Sequence, residues 1–178
     1  MSQAIIVVTG LPGAGKTTLA QQLAHRLQTP LFSLDTVKES LFASLGVTDR
    51  RLLRAASLDL IVVLLRGSPT GGVVDLWVDP TRDPETVRRH LEGTGIQRAL
   101  EVRCVVSGEL AAQRFAARPR VGPHRPADEE LLRRIREAAA LLRPLGIGPT
   151  FEADTSDSVD MAPVLRWVRR ELGAPEVS

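Results

Sequence analysis

The stretch Gly10-Leu11-Pro12-Gly13-Ala14-Gly15-Lys16-Thr17 constrains this chain more than any other, because it fits G-x-x-x-x-G-K-[ST] without a mismatch. Ala4-Ile5-Ile6-Val7-Val8-Thr9 precedes it, a short apolar and β-branched run that reads as a buried strand. In Thr18 to Leu27, which follows, Leu19, Leu23 and Leu27 recur at i, i+4 and i+8 and mark a helix with one apolar stripe. Strand, glycine loop, helix is the context in which this motif cradles phosphate. Glycines let backbone N–H groups turn inward where a Cβ would clash, and the helix N-terminus adds unpaired N–H groups and partial positive charge. Gly10, Gly13, Ala14, Gly15, Lys16, Thr17 and Thr18 form the expected phosphate-contacting set. In it, Lys16 sets an ammonium against the β- and γ-phosphates and the Thr17 hydroxyl joins a Mg²⁺ shell.

Strands and helices alternate along the rest of the chain. Strands are expected at about 31–34, 73–77, 99–106 and 150–153, and helices at about 36–45, 49–66, 85–91, 108–117, 128–142 and 159–172. Gly67 to Gly72 reads as a loop, and Thr48 as a cap for the helix that begins at Asp49. In that helix Leu52, Leu53, Ala56, Leu60, Val63 and Leu64 follow helical spacing. Short apolar strands alternating with helices imply a parallel sheet covered on both faces. The 178 residues fit one domain with an ample core, and no linker, repeat or low-complexity tract interrupts them.

Ligands bind beyond the C-terminal strand ends of such sheets. Asp35 follows the second strand and is the expected general base for an acceptor hydroxyl, with helix N-capping as its structural alternative. Asp75 ends an apolar strand as a metal-associated acid does. Asp75-Leu76-Trp77-Val78-Asp79 holds a second acid, Asp79, but Asp75 is favoured. Leu76 stands where motor ATPases carry a water-activating glutamate, and no Asn-Lys-x-Asp guanine motif occurs, so neither a motor nor a GTPase switch is expected. Arg114 and Arg118, four apart on one helix face, precede Arg120 and Arg125 in a loop with three prolines; together they suit a lid over transferring phosphate. Only two of the 23 Lys+Arg residues are lysines, Lys16 and Lys38, so Lys38 is an acceptor-side candidate with Trp77 and Arg82. His25 and His90 read as exposed helix residues and His124 as part of the lid.

Composition narrows the setting. No apolar run reaches the roughly 20 residues of a membrane span, Met1 to Thr9 lacks the basic start of a signal peptide, and a cytoplasmic address is expected. Cys104 is the single cysteine and reads as a buried strand residue. Aromatic residues are only 3%, with no tyrosine, which disfavours a nucleic-acid acceptor that would want stacking platforms.

The glycine loop, Leu34-Asp35-Thr36-Val37-Lys38, Asp75 and the Arg114…Arg118 pair resemble the small P-loop kinases grouped as zeta-toxin-like or AAA-type. That group includes chloramphenicol phosphotransferase-like and polynucleotide kinase-like proteins, and adenylylsulfate and gluconate kinases share a similar layout. The resemblance spans about residues 4 to 172. It implies a P-loop NTPase fold: a five-stranded parallel sheet of order 2-3-1-4-5, flanked by helices, with a helical lid at about 114–130. It implies ATP and Mg²⁺ as cofactors, Asp35, Lys16 and Arg118 as catalytic residues, Arg114 and Arg118 as lid arginines, and Asp154-Thr155 near the adenine. The second strand ends in one acid rather than the Asp-x-Asp of shikimate kinases, so shikimate is not the expected acceptor. The expected activity is transfer of the γ-phosphate of ATP to a hydroxyl of a small molecule. The alternatives are a polynucleotide 5′-hydroxyl kinase and a nucleotide-binding regulatory protein.

Overall fold

A computed structural model describes residues 3–46, 49–118 and 127–173. Five strands form one parallel sheet: β1 (Ala4–Gly10), β2 (Leu31–Ser33), β3 (Gly71–Asp75), β4 (Arg98–Val105) and β5 (Thr150–Asp154). Their spatial order is β2-β3-β1-β4-β5, as the resemblance implied. The connecting helices are α1 (Lys16–Leu27), α2 (Leu34–Leu45), α3 (Arg50–Gly67), α4 (Pro84–Glu92), α5 (Gly108–Ala116) and α6 (Glu129–Leu141), with α7 (Met161–Leu172) after β5.

Strand alternation sorts the core into two layers. Ile6 and Val8 of β1 pack with Leu19 and Leu23 of α1, Phe115 of α5 and Val164 and Val168 of α7. Ile5 and Val7 point the other way, onto Leu58, Ile61 and Leu65 of α3 and Val87 and Leu91 of α4. Every residue of β1 is buried, which is why it reads as one continuous apolar run. The strand ends that carry the site are therefore set by packing on both faces.

Three expectations change. Gly71 and Gly72 belong to β3, not to the preceding loop. Gly71 has φ +78°, and a Cβ on it would lie 1.9 Å from the Ala4 carbonyl oxygen, so the glycine permits close strand approach rather than a turn. In α3 the buried face is Leu53, Ser57, Leu58, Ile61 and Leu65, whereas Leu52, Leu60, Val63 and Leu64 are exposed. The helix carries two apolar stripes, and spacing alone does not choose between them. Finally, Asp49 caps α3 by accepting from the backbone N–H of Arg51 and Leu52; Thr48 lies outside the described residues.

One buried acid escaped the sequence reading. Glu101 of β4 is fully buried; its Oε1 accepts from Thr9 Oγ1 at 2.7 Å and its Oε2 from the Leu145 backbone N–H at 2.7 Å. Thr150 Oγ1 donates to the same Oε2 at 3.4 Å. A buried carboxylate persists only when its lone pairs are used, and here they tie β1, β4 and the approach to β5 together.

Candidate functional site

The glycine loop leaves the end of β1 and closes on the first turn of α1. Gly15, the residue before the helix, is left-handed at φ 79°, and Ala14 N–H bonds the Leu11 carbonyl at 3.0 Å. Gly13 has φ +85°, and a Cβ there would sit 2.1 Å from the Ala111 carbonyl oxygen, so the loop lies against α5. Lys16 Nζ donates to the Leu11 carbonyl at 2.8 Å. Burial pulls the Lys16 ammonium below its ordinary pKa; Asp75, Cys104 and Asp35 oppose that, and Arg118 adds to it.

Because β3 lies between β1 and β2, Asp75 arrives beside the loop; it pairs in register with Val8 on one side and Ser33 on the other. Thr17 Oγ1 donates to Asp75 Oδ2 at 2.7 Å, and Ser33 Oγ reaches the same atom at 3.4 Å. Asp79 is occupied differently. Its Oδ1 accepts from Thr81 N–H at 3.0 Å and Thr81 Oγ1 at 2.7 Å, and its Oδ2 meets Arg82 Nε at 3.0 Å and Arg134 Nη2 at 2.9 Å. A carboxylate has about four lone-pair sites, so Asp79 is saturated and Asp75 is the acid with room for a cation. Thr17 and Asp75 supply two hard oxygens, the donor set Mg²⁺ takes when phosphate and water complete its shell.

Asp35 lies in the first turn of α2, where negative charge suits the helix dipole. It is not the N-cap: Ser33 holds that position, without a side-chain cap bond. Lys38 Nζ approaches Asp35 Oδ1 at 3.2 Å, one turn along the helix. The Asp35 side chain is 66% exposed and that of Lys38 17%. Both line one cleft of about 640 Å³ with Gly13, Gly15, Lys16 and Thr17. Asp75, Trp77, Arg82 and Arg118 line the same cleft.

The two expected lid arginines part company. Arg118 lines the cleft. Arg114 instead donates to the carbonyls of Thr155 at 2.7 Å and Ser156 at 2.6 Å, fastening α5 to the corner after β5. Thr155 is buried, bonds the Val105 carbonyl through both N–H and Oγ1, and has its Cβ 3.9 Å from where a Gly15 Cβ would stand. Asp154 is exposed and accepts from Ser156 N–H at 2.8 Å, which holds its carboxyl below the usual range; it does not line the cleft. Arg120, His124 and Arg125 lie outside the described residues.

A family model described as AAA domain matches residues 5–142. The chain belongs to the AAA domain family. Among curated relatives of this AAA domain, a cytidylate kinase of Pyrobaculum neutrophilum is 28% identical over 148 residues, which span 78% of this chain and 71% of that protein. A shikimate kinase of Corynebacterium diphtheriae is 36% identical over 80 residues, 40% of this chain and 43% of that one. Among solved structures, a putative kinase from Chloroflexus aurantiacus superposes with a TM-score of 0.76 at 29% identity, over 96% of this chain and 99% of that one.

Sequence reading missed part of the cleft of this AAA domain. Arg54 lines it and is fixed by Asp83 at 2.9 Å and the Trp77 carbonyl at 2.9 Å. Arg134 and His90 also line it; His90, expected to be exposed, is half-buried with Nε2 3.3 Å from Asp59. Arg54 was legible as one of three arginines opening α3, a helix with no acid in its first turn. Arg134 on α6 carries no local mark; only the fold brings it across to Asp79.

Cys104 lies in the strand interior behind the loop, as its neighbours suggested. Burial pushes its thiol up to about 12, with the Lys16 charge opposing and Asp75 assisting. Native protein at pH 8 is therefore expected to resist iodoacetamide while the denatured chain reacts at the ordinary rate. Above the ordinary thiol pKa of about 8.5 the unfolded chain loses this proton and the folded one keeps it, so stability falls as pH rises toward 12. Rapid labelling of the native thiol at pH 8 would contradict this burial.

Proposed function

We propose that this chain is an ATP-dependent phosphotransferase that moves the γ-phosphate to a hydroxyl of a small molecule, within the zeta-toxin-like and AAA-type kinase group. The observation that carries the reading is the Thr17–Asp75 bond in the same cleft as Asp35. It pairs a metal-ready hydroxyl and carboxylate with a separate ionisable acid facing the cleft. The kinase names of the relatives support it, and so does the phosphate loop.

In this reading the backbone N–H groups around Gly13 and Gly15 hold the nucleotide phosphates. Lys16 leaves the Leu11 carbonyl to neutralise charge on the β- and γ-oxygens. Thr17 and Asp75 hold Mg²⁺, which supplies charge neutralisation and orientation at the phosphates. Asp35 orients the acceptor hydroxyl and takes its proton as the oxygen bonds phosphorus and the bond to the ADP leaving oxygen breaks. Lys38, 3.2 Å from Asp35 Oδ1, holds that carboxylate in place. Arg118, in the cleft wall, supplies positive charge to the transferring group. Arg114 acts indirectly, by fixing the 155–156 corner against the loop.

ADP release from Mg²⁺-ATP, followed against a library of sugars, nucleosides, antibiotics and amino acids, tests the reading. At least one hydroxyl compound is expected to raise release by roughly 100-fold or more over the acceptor-free rate. Nucleotide binding with no acceptor-stimulated release across the library would leave a binding protein and refute the kinase.

A further inference from the structure

The cleft wall beyond Trp77 holds more fixed positive charge than the wall itself neutralises. Two guanidinium groups, from Arg82 and Arg134, share the single carboxylate of Asp79. Asp79 is 5% exposed. Burial works to raise its carboxyl, but bonds from Thr81 and the charges of Arg82 and Arg134 outweigh burial and hold it below the usual range. It stays ionised at neutral pH, and the trio keeps one net positive charge. Asp79 engages Arg82 through Nε and Arg134 through one Nη. Among the described residues, the other N–H groups of both forks have no protein acceptor, and both side chains line the cleft.

Arg54 also faces the cleft, neutralised by Asp83 and held by the Trp77 carbonyl, so it adds donors rather than net charge. Arg50 and Arg51 line it too, from the first turn of α3. Cations are disfavoured at that end of a helix, where the backbone already carries partial positive charge. Two arginines that break this local rule beside one cleft fit a functional site, where such rules give way. These arginines come from α3, the 76–83 segment and α6, apart from the phosphate loop that holds the donor.

We infer that the acceptor is a small alcohol that also carries an anionic group, a carboxylate or a phosphate ester, received by the free edges of Arg82 and Arg134. The inference rests on the kinase reading and names its substrate class. Guanidinium forks match carboxylate and phosphate oxygens in pairs. Asp79 holds the two forks in place before the ligand arrives, which spares ordering on binding. The hydroxyl of the same molecule then meets Asp35; its oxygen bonds the γ-phosphorus, its proton passes to Asp35, and ADP leaves. A neutral polyol could accept hydrogen bonds from these forks but would leave their charge uncompensated.

Matched acceptor pairs separate the cases: gluconate against glucose, glycerate against glycerol, and glycerol 3-phosphate as the phosphate arm. ADP release is measured for the full chain, for Arg82→Gln and Arg134→Gln, and for Arg170→Gln on the exposed face of α7 as control. Saturation-transfer NMR of gluconate and glycerol 3-phosphate, with ADP present, reads binding without turnover. The acids are expected to turn over better than their neutral partners. The two cleft variants should raise KM for the acids by roughly 10- to 100-fold, the worth of one charged hydrogen bond, and leave ADP affinity and the control unchanged. Which acid binds decides between carboxylate and phosphate. Arg82 is the more exposed of the two, so its variant keeps the test open if Arg134→Gln fails to fold. Equal or better use of the neutral partners, with KM untouched in both variants, overturns the inference and leaves the kinase standing. Absence of acid binding by NMR overturns it even where no acceptor turns over. Acid binding lost in Arg82→Gln, without transfer to any acceptor, supports the anion site while refuting the kinase.

Discussion

Asp35→Asn is expected to lower phosphoryl transfer by about 10²- to 10⁴-fold, the range a positioned general base contributes. The amide matches the carboxylate in shape and keeps an acceptor oxygen for orientation, but it takes no proton. Asp35 is exposed at the mouth of the cleft, where Lys38 meets it, and the amide keeps the carboxylate's shape, so the fold should not change. ATP affinity is expected to stay within about twofold, because in the proposed reading the loop and the Thr17–Asp75 pair hold the donor, apart from Asp35. The comparison is kcat against nucleotide Kd, measured by calorimetry. Full-rate transfer by the variant would remove Asp35 from the chemistry and leave its ion pair with Lys38 as a structural contact.

Gly13→Ala is the second large effect, and it acts on the scaffold. The added methyl would sit 2.1 Å from the Ala111 carbonyl oxygen, and the main chain there is left-handed at φ +85°. Left-handed backbone costs a substituted residue about 1–2 kcal/mol and overpacking about 1–3 kcal/mol, so the loss is about 2–5 kcal/mol. At 2–4 °C for each kcal/mol in a domain of this size, Tm should fall by about 5–20 °C. Nucleotide binding should weaken as well, since the loop can relieve the clash only by lifting off α5. Gly46→Ala isolates the backbone share: Gly46 also has positive φ, at +63°, but open space around its Cβ position. Its loss should stay near the backbone cost alone. Equal melting of the two variants would mean that the loop does not pack on α5 as described.

The site was legible where chemistry is written in adjacent residues. Gly10 to Thr17 carries its loop geometry, its lysine and its hydroxyl in eight positions, and the apolar run before it marks the central strand. Asp35 and Asp75 were legible because each stands where a strand ends. Arg114 shows the limit of that reading. Its four-residue spacing from Arg118 predicted one helix face for both, but α5 ends at Ala116, before Arg118, and packing of α5 against the 155–156 corner turned the Arg114 guanidinium to two carbonyls. α3 shows the same limit in apolar residues, since two stripes satisfy the period and only contact with the sheet selects Leu53, Leu58, Ile61 and Leu65.

By itself the sequence determined the phosphate loop, the alternation of strands and helices and the acids at the strand ends. These follow from residues within one or two turns of each other, where steric and hydrogen-bonding rules act without help from the rest of the chain. Tertiary structure alone decided that Thr17 donates to the Asp75 carboxylate, that Glu101 ties three strands from within, and that Arg82 and Arg134 share one carboxylate. Those pairings join residues 44 to 92 positions apart, or set two partners against one acceptor. A lone pair accepts only what the fold brings within about 3 Å of it, and that proximity is a property of packing rather than of sequence spacing.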